Sequence, residues 1–104
     1  MKNFCQLFLT CEDRAEAEKI AHVLLEKKLI ACAKYVPIDC SYWWEGEITE
    51  GKEVLVVMES RLDLFDTVEA EVKKIHSYET FVLTTNRVEK VSKKAEKWLN
   101  KTLK

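Results

Sequence analysis

His76-Ser77-Tyr78-Glu79 is the sharpest concentration of chemically useful side chains in this 104-residue sequence. An imidazole in such a run suits two jobs. It offers a ring nitrogen to a metal ion, or it closes a helix C-terminus as a cation. Glu79, three residues on, is near enough to share a ligand with it. The other candidates are Cys5, Cys11, Cys32 and Cys40. None stands in C-x-x-C spacing, which speaks against a zinc ribbon or a thioredoxin-type redox pair. Cys5 sits inside an apolar run and reads as a small buried hydrophobe. Cys11, Cys32 and Cys40 are soft donors of the kind copper prefers to hard oxygen ligands. Spacing alone brings none of them to His76. His22, between Ala21 and Val23, reads as structural or exposed.

Several chemistries are excluded or disfavoured. Gly46 and Gly51 are the only glycines, too few for a dinucleotide-binding fingerprint. Gly46 to Lys52 matches G-x-x-x-x-G-K, but Glu53 stands where a P-loop needs Ser or Thr for magnesium. Glu45, Glu47 and Glu50 would also repel phosphate there. Two histidines and no Gly-x-Ser-x-Gly disfavour a serine hydrolase. From Arg87 onward seven basic residues stand against two acidic ones, yet the whole chain carries a net charge of -1, so this is read as a solvated helix face and not a nucleic-acid footprint. No acid–base or nucleophile–base pair follows from the spacing, so the reading is non-enzymatic. With 47 % hydrophobic residues the chain is expected to fold, and its length suits one domain, 1–104. No apolar run approaches the roughly 20 residues that span a bilayer. The N-terminal stretch lacks the apolar core and cleavage site of a signal peptide, so neither a membrane partner nor export is expected and the cytoplasm is the expected location, where the thiols stay reduced.

Patterning says which elements must position these groups. Residues 4–10 read as a strand. Asp13 with Glu16 forms a capping box for a helix whose inner stripe is Ala17, Ile20, Ala21, Leu24 and Leu25, with Lys27 and Lys28 in its last turn. A strand over 29–44 follows, with Pro37 as a break or bulge. Glu45-Gly46 forms a tight hairpin tip. Residues 54–58 are the clearest strand. Ser60 with Asp63 is expected to cap a helix that buries Phe65, Val68, Val72 and Ile75. Residues 80–85 read as a strand. A last helix from Ser92 has Ala95, Trp98, Leu99 and Leu103 on its inner stripe. The order is β-α-β-β-α-β plus a helix: an α+β, ferredoxin-like sandwich with an antiparallel sheet and helices on one face. An RNA-recognition module shares this order but needs aromatics on its third strand, which 54–58 lacks. An acylphosphatase needs a Gly- and Arg-rich cradle where Thr10-Cys11-Glu12-Asp13 is acidic.

The strands carry a further implication. A strand with one wet face alternates apolar and polar residues. Val54-Leu55-Val56-Val57-Met58 does not, so both faces need cover that two helices cannot supply. A second copy of the chain is the simplest cover. Tyr42, Trp43 and Trp44 point alternately to opposite faces, so at least one large ring leaves the domain's own core.

Leu29-Ile30-Ala31-Cys32-Ala33, Tyr42-Trp43-Trp44-Glu45-Gly46-Glu47-Ile48, Glu53, His76-Ser77-Tyr78-Glu79 and Trp98-Leu99 together resemble the CutA divalent-cation tolerance proteins over nearly the whole chain. The resemblance implies a tight homotrimer, architecturally similar to the PII signalling proteins, with the long hairpin pairing across subunits. It implies a role in tolerance of copper or another divalent metal, and an inter-subunit cleft lined by Cys32, Tyr42, Trp44, His76, Tyr78 and Glu79. The expected metal ligands are Cys32, Cys40, His76 and Glu79. An alternative is a PII-like regulatory or scaffold trimer that takes a small ligand or a protein partner in that cleft. This chain departs from the family pattern. Glu59-Ser60 replaces Lys-Thr, which favours a cation over an anion near the cleft. Ser77 and Phe81 replace two prolines, and Cys40 replaces a frequent serine.

Overall fold

Alternation assigns the two faces of each strand. The computed structural model describes residues 3–104, so Met1 and Lys2 of the expected unit lie outside it. The first strand, β1 (Phe4–Cys11), turns Cys5, Leu7, Leu9 and Cys11 inward. It pairs antiparallel with β3 (Glu47–Arg61), which turns Val54, Val56, Met58 and Ser60 to the same side. Helices α1 (Arg14–Glu26) and α2 (Phe65–Ile75) close over this face with Ala17, Ile20, Ala21, Leu24, Val68 and Val72. The edge strands are β2 (Cys32–Trp44) and β4 (Leu83–Arg87), and the sheet order is β2-β3-β1-β4, all antiparallel. The ferredoxin-like order expected from the sequence is therefore present, with α3 (Lys93–Thr102) added after it.

The ends of α1 show the local chemistry. The Asp13 carboxylate accepts the Glu16 N–H at 2.9 Å. The Glu16 carboxylate accepts the Glu12 N–H at 2.9 Å, one residue earlier than a reciprocal capping box would place it. At the other end the Lys28 N–H bonds the Leu25 carbonyl and the Leu29 N–H bonds the Leu24 carbonyl, both at 3.0 Å, a Schellman closure. Lys27 and Lys28 therefore lie past the last turn, not in it. Lys28 takes φ +58° in the left-handed position that glycine usually fills.

Several boundaries differ from expectation. Residues 29–31 are a buried connection, and β2 starts at Cys32. Register runs unbroken through Pro37↔Val54, so Pro37 makes neither break nor bulge. An edge strand tolerates it because half of its N–H groups face away from the neighbour. Ser60 caps nothing: its hydroxyl is buried and donates to the Leu29 carbonyl at 2.6 Å, while a 3-10 turn, Leu62–Leu64, leads into α2. Asp63 pairs with Arg61. The last strand starts at Leu83, three residues late, because only from Leu83↔Leu9 onward does it lie beside β1. Leu99 and Leu103 are buried as expected, but Trp98 is not.

Glu45 and Gly46 both take positive φ, +49° and +80°, which makes the two-residue tip a type I′ turn. The strand residues on either side, from Ile38 to Glu53, run past the end of β1 and pair only with each other. They form a two-stranded arm, and the described chain with this arm extends 45 Å along its longest axis.

Replacing Lys28 by Gly should raise the unfolding free energy by about 1 kcal/mol, since the left-handed strain disappears while the two closing bonds remain. A higher urea midpoint with unchanged slope is the expected result.

Candidate functional site

The His76 ring sits where the end of β1, the first turn of α1 and the end of α2 converge. His76 is the C-cap of α2, and its N–H bonds the Val72 carbonyl at 2.9 Å. Its side chain is fully buried. Nε2 lies 2.9 Å from the Thr10 carbonyl, and Nδ1 accepts the Tyr78 N–H at 3.0 Å. A carbonyl takes only a donor and an amide N–H needs an acceptor, so the proton resides on Nε2 and the lone pair on Nδ1. Phe81 stacks on the ring at 5.3 Å, and Tyr78 lies tilted beside it at 5.0 Å. At Ser77 and Phe81, the two departures from the family pattern noted above, the Ser77 N–H bonds Glu16 and the Phe81 ring stacks on the imidazole.

Glu16 ties this turn to α1. One carboxylate oxygen accepts the Ser77 N–H at 2.6 Å and lies 3.9 Å from His76 Nδ1, while the other takes the Glu12 N–H. Burial pushes the Glu16 carboxyl up, but the hydrogen bonds from Glu12 and Ser77 outweigh it, and the net shift is below the ordinary 4.5. Cys11 lies beneath. Burial, followed by the charges of Glu16, Asp13 and Glu53, pushes its thiol up to about 12. Burial likewise, with the charges of Glu53, Glu12 and Glu16 behind it, raises the Tyr78 hydroxyl to about 12. Among the described residues, Cys11, Glu16 and His76 are the group whose ligand atoms all lie within 4.8 Å of one another.

The residues picked from the sequence divide between places. His76, Tyr78 and Glu79 share the α2–β4 turn, where Glu79 is exposed. Tyr42 and Trp44 lie on the arm, and Tyr42 is near enough to Tyr78 to bear on its hydroxyl. Cys40, also on the arm, donates its S–H to the Gly51 carbonyl at 3.5 Å. Cys32 lies at the opposite end of β2, in a groove of about 450 Å³ between α3 and the sheet, with Lys34, Glu59, Val91 and Trp98. Glu59 there is paired with Lys34 at 2.7 Å. Cys32 and Cys40 are eight strand residues apart, on the order of 25 Å. Glu16 was visible in the sequence only as a cap and Cys11 only as one soft donor among three. No one-dimensional signal links either to His76, about 60 residues away.

The family profile described as CutA1 divalent ion tolerance protein matches residues 5–102. The chain belongs to this family. It is 38 % identical over 103 residues to the divalent-cation tolerance protein CutA of Archaeoglobus fulgidus, covering 99 % of each chain. Its backbone matches the structure of the periplasmic divalent cation tolerance protein CutA from that organism with a TM-score of 0.94 at 36 % identity, over 97 % of this chain and 99 % of that one. CutA1 from Pyrococcus horikoshii matches with a TM-score of 0.92 at 33 % identity, over 96 % and 98 %. CutA1 from Oryza sativa matches with 0.95 at 25 % identity, over 99 % and 95 %. The CutA1 fold is thus present here with its C-terminal helix. No helix among the described residues is long and apolar enough to cross a membrane.

Glu16 gives this site a defined acid dependence. Its pKa is lower folded than unfolded, so its contribution to stability is complete above about pH 4.5 and is lost as the pH falls through the folded value. Glu16→Gln should lower stability at pH 7 by about 1–2 kcal/mol and flatten the acid limb of a stability–pH profile measured by urea unfolding.

Proposed function

We propose that this CutA1 family member acts in the cytoplasm as a homotrimer in tolerance of copper or another divalent metal, through binding of the ion and not through catalysis. The observation that carries the assembly is the uncovered sheet face. Phe8, Leu55, Val57, Val36 and Ile38 lie on the side of the sheet away from α1 and α2. The third helix reaches only the end near Phe4, Gln6 and Cys32. Val36 is 42 % exposed, and on the arm Trp43, Trp44 and Ile48 are 71 %, 53 % and 67 % exposed. A two-stranded ribbon is marginal in water by itself, and apolar surface of this kind marks an interface. Copies of the chain packed on this face, with arms laid across neighbours, satisfy both.

The assembly also gives the predicted cleft its meaning. Cys32 and the pair Tyr42 and Trp44 sit toward opposite ends of β2, so one cleft can include them all only if one subunit's end meets another's arm. The ligand set Cys32, Cys40, His76 and Glu79 has the same requirement. Catalysis by Cys11 beside His76 is disfavoured physically, because a nucleophilic thiol needs a depressed pKa and access, and Cys11 has neither.

The exposed rings of the arm favour a second reading, a PII-like regulatory or scaffold trimer whose cleft takes a small ligand or a protein partner. That reading expects a melting temperature indifferent to metals and raised by the ligand.

Native mass spectrometry of the reduced protein with graded copper or zinc tests both. A trimer carrying at least one ion per chain is the expected result, and a trimer that stays metal-free moves the function to the second reading. Leu55→Glu and Val36→Glu should each release monomer while leaving the circular dichroism of the fold intact, since neither side chain faces the helices. A trimer that survives both changes overturns this sheet face as the interface.

A further inference from the structure

The basic stretch from Arg87 onward is used neither by the His76 site nor by the uncovered sheet face. We infer that the outer side of α3 binds single-stranded nucleic acid, with phosphates along a row of lysines and a base on Trp98. The inference is independent of the cation reading above. Helical periodicity sets the row. Leu99 and Leu103 are buried against the body, and Ala95 stands one turn before them on the same side. The opposite side carries Lys94, Lys97 and Lys101, with Lys93 beside them and Lys90 just ahead of the helix. All five lysines are exposed, and among the described residues none of them is in an ion pair. Glu96, three residues before Leu99, falls toward the inner side.

The fold isolates this charge. The groove beside α3 is at the end of the sheet that holds Phe4, Gln6 and Cys32. The arm leaves from the other end of the eight-residue β1, about 25 Å away. It carries Asp39, Glu45, Glu47, Glu50 and Glu53 against Lys52. The net charge of -1 therefore averages over two ends of opposite sign, and a polyanion is steered to the lysine end. α3 is more than the solvated face that its composition suggests.

Trp98 decides which polyanion fits. It is 45 % exposed and lines the groove of about 450 Å³ between α3 and the sheet. It stands four residues after Lys94 and three before Lys101, so it flanks the row. A bilayer is flat and would meet the lysines alone, because Trp98 lies over the groove and the apolar stripe of α3 is already buried. A duplex keeps its bases stacked on one another. A single strand is flexible, so its backbone follows the lysines while one base turns onto the indole. Lysines neutralise phosphates as point charges and read no base edge, so the binding tolerates changes of sequence.

Fluorescence anisotropy of a labelled short oligouridylate, titrated with the full-length assembled protein from about 50 to 200 mM salt, tests the inference. Three to five neutralised phosphates give a slope of log affinity against log salt of about -2 to -3.5. Lys97→Gln together with Lys101→Gln should weaken binding at least tenfold and flatten that slope by about 1.4. Trp98→Ala should weaken binding at least fivefold at unchanged slope, and Trp98→Phe, which keeps a stacking ring, should restore most of it. Circular dichroism and native mass spectrometry check that each variant keeps its fold and assembly, and the lysine pair keeps the test open if Trp98→Ala does not fold. No binding at the lowest salt, equal binding of a duplex of the same length, or binding indifferent to Trp98→Ala overturns the inference. Capture by vesicles rich in anionic lipid, without capture of the oligonucleotide, overturns it in favour of a membrane surface.

Discussion

The pairing of β1 with β3, from Phe4↔Arg61 to Cys11↔Val54, is the contact on which the rest of the structure depends. It places Leu7 beside Met58 and Leu9 beside Val56 on one face, and the helices pack on this stripe. It sets Phe8, Leu55 and Val57 on the other face, where this chain supplies cover only at one end. It also leaves β3 and its partner β2 longer than β1. The arm is what remains once β1 has ended at Cys11. A one-residue slip would exchange the two faces throughout, so the core, the interface and the arm are specified together.

The same strand end builds the site. After Cys11 the chain turns into α1, and the Thr10 carbonyl, no longer needed by the sheet, accepts the imidazole of His76. Glu16 then serves two segments at once, holding the Glu12 N–H on its own helix and the Ser77 N–H on the α2–β4 turn. Charge-assisted bonds of this kind are stronger than neutral ones, and here they tie the α2–β4 turn to α1.

The uncovered face and the arm bear on function together. Interfaces concentrate aromatic side chains, and Tyr42, Trp43 and Trp44 stand on the projecting arm. Assembly would bury them and bring Tyr42 and the His76 turn into one cleft with elements of a neighbour.

Sequence alone determined the element order, the hairpin tip and most of the core. Alternation and helical periodicity are local, and Gly46 after Glu45 marks a tight hairpin tip, which the structure closes as a type I′ turn. Leu55 and Val57 likewise marked a second face in need of cover, since a wet face would carry polar residues at those positions. Tertiary structure alone decided three other things. Ser60 resembles a helix cap by spacing, but β3 extends to Arg61 and carries its hydroxyl inward to the Leu29 carbonyl. Residues 80–82 look like a strand by composition, but no neighbour lies beside them until Leu9 meets Leu83. The cysteine beside His76 is Cys11, not Cys32 or Cys40, because proximity between residues about 60 apart is a property of strand register. Each of the three cysteines has the same chemistry in one dimension, and only the packing of β1 against α1 and α2 distinguishes them.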